Sequence, residues 1–308
     1  MTTLLYSHPA CVEHDPGAHH PENPARLEAV LAALDSDEFA TLDRREAPQA
    51  DIADIERVHA PQYVASVFDA VPKSGHVHLD PDTVLSPASG EAALRAAGAV
   101  TAAAAAVIGG EADNAFCAVR PPGHHAEAAR AMGFCVFNNV AVAAGHARAV
   151  HGLERVAVVD FDVHHGNGTQ SAFERDAGLF YASSHQFPFY PGTGSEAEEG
   201  VGNIVNVELA PGSGSAEFRA GWSGRIVPRL RDFAPELLII SAGFDAHVRD
   251  PLAQISLTED DYAWLTGELM AVAGECCAGR VVSALEGGYD LQSLAASAAA
   301  HVRVLMGR

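Results

Sequence analysis

The stretch Val156-Ala-Val-Val-Asp160-Phe-Asp-Val-His164-His-Gly-Asn-Gly168 runs from an unbroken apolar segment straight into carboxylates and imidazoles. A short run that is apolar on both faces and ends at turn residues is the pattern of a parallel strand covered by helices on either side. Similar runs recur at residues 3–7, 115–119, 179–183, 204–207, 237–241 and 281–285. Helical stretches lie between them at 24–34, 61–70, 89–108, 139–151, 215–233, 258–277 and 291–305, with a shorter one at 51–56. Thr258 followed by Glu-Asp-Asp supplies a cap and acids at the positive end of a helix dipole. Strand–helix alternation without a linker or internal repeat predicts one doubly wound α/β domain over residues 1–308, with a central, predominantly parallel sheet flanked by helices.

Composition narrows the function classes. Forty acids against 19 bases give a net charge of −21, which repels nucleic-acid phosphates and anionic lipid and attracts cationic ligands. Hydrophobic residues make up 48% of the 308, enough for a large core and too many for a disordered chain. Five scattered cysteines without a CxxC pair fit a reducing compartment. The N-terminus lacks a basic segment followed by an apolar core, and the Ala-rich stretch at 96–107 reads as an ordinary helix. The expectation is a cytoplasmic protein with neither a nucleic-acid nor a membrane partner.

In open α/β sheets, ligands bind beyond the carboxyl ends of the strands. The unusual residues of this chain collect there. Arg120-Pro-Pro-Gly-His-His follows one strand and Asp160-Phe-Asp-Val-His-His-Gly-Asn-Gly another; Ser183-Ser-His, Ala242-Gly-Phe-Asp-Ala-His and Glu286-Gly-Gly-Tyr-Asp follow three more. On an extended segment, alternation would put Asp160, Asp162 and His164 on one face. Asp162, His164 and Asp245 would then give a divalent metal three protein ligands and leave a position open for catalysis. An oxygen-rich Asp–His–Asp set suits Zn2+ or Fe2+. The pair His124 and His125 offers a base and an acid, with Asp160 and Asn167 available to orient the two rings. A carboxylate partner raises imidazole proton affinity more than an amide does, so the two histidines are expected to differ. Gly287 permits a tight turn close to the site, and Tyr289 can donate a hydrogen bond to an oxyanion.

Together, HHPENPARL, RPPGHH, GFCVFNN, DFDVHHGNGT, FYPGTG, SAGFDAH and LEGGYD resemble the histone deacetylase family of the arginase–deacetylase superfamily. The resemblance runs through most of the chain, in the family's motif order, and Asn167 is similar to the class II branch. It implies that zinc is held by Asp162, His164 and Asp245. It makes His125 the principal base, His124 its electrostatic or acid partner, and Tyr289 the group that polarises an amide carbonyl. It places Phe134, Gly133 and Tyr190 on a channel wall, with tyrosine where the family commonly has phenylalanine. Asp82 corresponds to the loop position that holds substrate backbone, Leu252 to the gate, and Arg26 to a place near an internal acetate-side cavity. It also implies K+ or Na+ on Asp160, Asp162, His164, Ser183 and Ser184, and a second such ion on Phe173, Asp176 and Leu179.

These expectations describe a metal-dependent amidohydrolase acting on acyl-lysine in a protein or peptide. The alternative within the same chemistry is an acetylpolyamine amidohydrolase, which the acidic surface also suits. A ureohydrolase needs a second metal and an aspartate where this chain has Gly166. A non-catalytic acyl-lysine binder would not need both histidines and Tyr289. The sequence leaves the oligomeric state open, a homo-oligomer included.

Overall fold

The computed structural model describes residues 1–308. Its strands are β1 (Thr3–Ser7), β2 (Asp43–Glu46), β3 (Val77–His78), β4 (Val84–Leu85), β5 (Asn114–Cys117), β6 (Val156–Asp160), β7 (Leu179–Gln186), β8 (Ile204–Leu209), β9 (Leu237–Ala242) and β10 (Val281–Leu285). Eight of them form one sheet in the order β2-β1-β5-β10-β9-β6-β7-β8, and every pairing in it is parallel. The strands therefore point their carboxyl ends to one rim. Asp160 lies in register with Ser241 on one side and Ser183 on the other, which brings the loops after β9, β6 and β7 together. β3 and β4 make a separate antiparallel pair.

The helices are α1 (Pro9–Glu13), α2 (Pro24–Leu34), α3 (Ile52–Ile55), α4 (Pro61–Ala70), α5 (Ser89–Ile108), α6 (Asn139–His151), α7 (Asn167–Phe173), α8 (Ser215–Gly221), α9 (Val227–Phe233), α10 (Glu259–Cys276) and α11 (Leu291–Leu305). β6, β9 and β10 are buried along their whole length, as their two-sided apolar runs require. α5 is long and apolar enough to cross a membrane by composition, but two-thirds of its apolar window is buried inside this fold. It packs there against α6, α1 and β5.

Three features depart from the sequence reading. β2 was not expected, because Asp-Arg-Arg-Glu carries charge at every position; such charge belongs on the exposed edge strand it proves to be. Residues 215–233 are not one regular helix: a π-helical turn, Trp222–Ile226, separates α8 from α9. Pro228 explains the wider turn, since its ring would clash with the carbonyl four residues earlier in a regular α-helix. The turn also buries Trp222 completely, with its indole N–H donating to Ser184 Oγ at 2.9 Å. The third is the Asp160–His164 segment: β6 ends at Asp160, and the next residues bend instead of continuing as a strand. Two short polar contacts fold it, from the Asp162 N–H to Asp160 Oδ1 (3.1 Å) and from the His164 N–H to Asp162 Oδ1 (2.9 Å).

Beneath the rim, Glu22 is fully buried between two fully buried arginines. It accepts from Arg26 Nη1 at 2.8 Å and from Arg120 Nη2 at 2.7 Å, with a further contact from Arg120 Nε. Arg120 also donates to the carbonyls of Cys11, His14 and Glu22, so the group ties the N-terminal segment to the strand end that carries the histidine pair. Removing one member leaves uncompensated buried charge, which typically costs about 3–5 kcal/mol. Glu22→Ala should therefore lower the denaturant midpoint by an amount equivalent to about 3–5 kcal/mol; a loss below about 1 kcal/mol would contradict this role.

Candidate active site

The bend after β6 turns Asp162 and His164 toward Asp245, which stands after β9. His164 Nδ1 lies 3.0 Å from Asp162 Oδ1 and 3.1 Å from Asp245 Oδ2, and one ligand atom from each residue falls within 4.8 Å of the others. The donor set is two carboxylates and an imidazole, all buried or nearly so. Burial disfavours charge on His164, but bonds to Asp162 and Asp245 and their charges outweigh it and push its pKa up to about 10. Burial and the Asp162 charge push Asp245 up to about 7. A site that holds positive charge this strongly fits a divalent cation. Asp160 is not part of this trio, contrary to the alternation expected of an extended segment. Its Oδ2 instead faces His124 Nδ1 at 3.0 Å and accepts from the Tyr181 hydroxyl at 3.1 Å.

The two histidines pack against each other with ring centroids 4.0 Å apart and planes tilted by 44°, and they have different partners. His125 Nδ1 lies 2.8 Å from Asn167 Oδ1. Asn167 Nδ2 donates to Glu127 Oε1 at 2.8 Å, which orients the amide and leaves its oxygen toward the ring. His125 therefore carries its proton on Nδ1 and keeps the Nε2 lone pair free. Burial, then the charges of His124 and His164, hold His125 well below the usual imidazole range. For His124, burial is outweighed by the Asp160 and Asp162 carboxylates, and its pKa rises to about 10. The expected asymmetry is present: the carboxylate-paired ring of His124 is shifted up and the amide-paired ring of His125 down.

A cavity of about 100 Å3 opens onto these groups and is lined by Asp82, His125, Gly133, Phe134, His164, Tyr190, Leu252 and Tyr289. Tyr190 packs edge-on to His125 at 5.2 Å, and Phe134 packs edge-on to Tyr289 at 5.9 Å. Asp82 Oδ1 accepts from the Gly133 N–H at 3.1 Å; burial and neighbouring Asp80 push its pKa up to about 6. Gly287 is not on the cavity wall, as a substrate-binding role would require. Its N–H donates to Asp162 Oδ2 at 2.8 Å, and a Cβ there would fall 2.2 Å from Asp245 Oδ2, so it backs the carboxylates of the candidate metal trio. Arg26 holds the same loop, through Gly288 O and Glu286 O at 2.5 Å each, and its guanidinium lies 4.8 Å from the Tyr289 ring centre. A larger groove of about 640 Å3 lies beside β2, far from the convergent ionisable groups, and its Arg45 is already paired with Asp43 and Glu111.

The residues named for monovalent cations divide. Ser183 Oγ is bonded to His185 Nδ1 at 2.8 Å, and Ser184 Oγ to Trp222. The carbonyls of Phe173, Asp176 and Leu179 do converge, but on the side-chain amide of Asn203, at 2.9, 3.0 and 2.5 Å. Position 166 has no room for a side chain, since a Cβ there would lie 2.4 Å from Asp160 Oδ2.

Sequence reasoning missed Glu286 as a functional support. Its buried carboxylate accepts from the Gly123 and His124 N–H groups at 2.7 and 3.2 Å and from Ser241 Oγ at 3.1 Å, fixing the backbone under the histidine pair. An acid directly after a buried strand was the available signal. Glu198 and Gln170 were missed as well. Glu198 accepts from the Gly194 and Ser195 N–H groups and from Gln170 Nε2, anchoring the loop that carries Tyr190.

A histone deacetylase domain model matches residues 20–305. The chain belongs to the histone deacetylase family. It is 41% identical to a histone deacetylase-like amidohydrolase of Pseudomonas aeruginosa, over 92% of this chain and 74% of that one. It is 38% identical to the human polyamine deacetylase HDAC10, over 99% of this chain and 46% of the human protein. The crystal structure of the HDA15 HD domain superposes with a TM-score of 0.95 at 36% identity, covering all of this chain and 88% of that one. Within this family the chain is a deacetylase or amidohydrolase by descent, with the fold expected from its strand–helix pattern.

Gly133 has a φ of +56°, and a Cβ on it would lie 2.3 Å from His125 Cδ2. Displacing a reacting group by about 1 Å can cost about 10²-fold in rate. Gly133→Ala should accordingly lower kcat by about 10²-fold with bound metal retained. A kcat within threefold of wild type would show that His125 tolerates the displacement.

Proposed function

We propose that this protein is a zinc-dependent deacetylase that removes acetyl or other short acyl groups from the ε-amino group of lysine in peptides or proteins. The observation that carries the reading is the meeting of Asp162, His164 and Asp245 with the unequal His124–His125 pair and Tyr289 around one narrow, aromatic-walled cavity. A divalent ion held by the three ligands, Zn2+ or Fe2+, would supply Lewis acidity toward the amide carbonyl and make water a better nucleophile. The chain's own residues do the rest. Phe134 and Tyr190 enclose the apolar lysine stem. His125 Nε2 takes the proton of the attacking water, while cationic His124 stabilises the developing negative charge and supports protonation of the leaving amine. Tyr289 donates its hydroxyl to the carbonyl oxygen as it becomes an oxyanion. Burial, opposed by Arg26 and reinforced by Asp245, keeps that phenol protonated by raising its pKa well above the usual value. K+ or Na+ held by Asp160, Asp162, His164, Ser183 and Ser184 belongs to the same proposal as a structural ion.

Acetylated polyamines are the second reading. Asp82 presents a carboxylate to the cavity, the net charge is −21, and a polyamine deacetylase is among the relatives. Leu252 supports the first reading, because leucine at the cavity wall offers no acceptor for a distal ammonium. The test is a kinetic panel of acetyl-lysine peptide, acetylputrescine and longer acyl-lysines, run on wild type and Leu252→Glu. Wild type should prefer the peptide. The substitution should raise the acetylputrescine-to-peptide ratio of kcat/KM several-fold, equivalent to about 1 kcal/mol for a partly exposed ion pair. A wild-type preference for acetylputrescine would replace the first reading by the second.

A further inference from the structure

Tyr289 reaches the cavity from a loop, and the peptide group that aims it is clamped at both ends. That group joins Gly288 to Tyr289. Its carbonyl accepts from Arg26 Nε at 2.5 Å, and its N–H donates to Asp250 Oδ2 at 2.7 Å. Fixing both ends of one planar unit fixes its rotation, and with it the direction in which the Tyr289 side chain leaves the backbone. Asp250 is buried, with 8% of its surface exposed. Its second oxygen, Oδ1, accepts from the Leu252 N–H at 3.0 Å, and its own N–H donates to His247 O at 2.8 Å. One carboxylate thus ties the loop that bears the cavity residue Leu252 to the loop that bears Tyr289. Arg249 adds an outer tie between the same loops, pairing with Asp290 at 3.0 Å and donating to Gln292 at 2.7 Å.

We infer that Asp250 is a positioning residue for deacylation: through the Tyr289 N–H it sets the placement of the oxyanion-donating hydroxyl, and through the Leu252 N–H it sets the cavity mouth against it. The inference rests on the role proposed above for Tyr289. Asp250 is not among the residues lining the cavity; its carboxylate accepts from two backbone amides. Tilting the Gly288–Tyr289 unit would move the phenol hydroxyl through the full length of its side chain, so a small rotation at the backbone becomes a large error at the reacting carbonyl.

A double-mutant cycle tests this, using Asp250→Ala with Tyr289→Phe in the metal-loaded full chain on an acetyl-lysine peptide. Tyr289→Phe should lower kcat by about 10²–10³-fold. Asp250→Ala in the wild-type background should lower kcat by about 10–100-fold with bound metal retained, and in the Tyr289→Phe background by less than about twofold. A change in KM from loosening Leu252 should persist in both backgrounds. Asp250→Asn, which keeps the shape but can accept only one of the two bonds, should lie between wild type and Asp250→Ala and covers the case in which the alanine variant does not fold. Equal loss of kcat in both backgrounds, or no loss with Tyr289 present, would overturn the positioning role while leaving the deacetylase reading in place. A wild-type kcat for Tyr289→Phe would instead overturn the reading on which the inference stands.

Discussion

Asp162 and Asp245 are buried side by side, 1% and 0% exposed, at the end of an apolar sheet. Two carboxylates out of water and close together are strongly unfavourable without positive charge. The rest of the site follows from that constraint. His164 stands between them, His124 lies beyond with its proton affinity raised by Asp160 and Asp162, and a divalent ion suits the three ligands. The fold makes the meeting achievable because all eight strands of the main sheet are parallel, so β6, β9, β5 and β10 deliver their C-terminal loops to the same rim.

The same buried charge explains the polar groups that touch no substrate. Glu22 pairs with both Arg26 and Arg120; Arg26 in turn holds the backbone of the loop that bears Tyr289, and Arg120 anchors its own segment, which carries the histidine pair, to the carbonyls of Cys11 and His14. Glu286 supports the His124 backbone from below, and Asp250 supports Tyr289 from the side. Each of the histidines and Tyr289, the side chains to which the proposed mechanism assigns chemistry, therefore has a second residue holding it or its backbone. That arrangement keeps donors aimed in advance, so little reorganisation is needed during the reaction.

Much of this was legible in the sequence. Strands apolar on both faces, such as Val156–Asp160 and Val281–Leu285, mark a parallel sheet, and a parallel sheet places its chemistry at one rim. The cavity residues Phe134, Tyr190, Leu252, Asp82 and Tyr289 were all anticipated, as were the partners of the two histidines. What was not legible depends on local backbone geometry or long-range contact. The turn after Asp160 comes from side-chain–backbone bonds that periodicity does not register, and it separates Asp160 from the metal trio. Gly287 differs from a wall residue only in which neighbours approach it. The edge strand β2 has no apolar signal at all, and the Asp250 link joins residues 39 positions apart.

In the proposed mechanism, one divalent ion held by Asp162, His164 and Asp245 supports amide hydrolysis. The most direct measurement strips the purified protein with a chelator, titrates Zn2+ or Fe2+ back, and follows bound metal together with hydrolysis of an acetyl-lysine peptide. Activity should be absent in the stripped protein, rise in proportion to bound ion and level off at one ion per chain. Full activity in the metal-free protein, or a plateau reached only at two ions per chain, would contradict it.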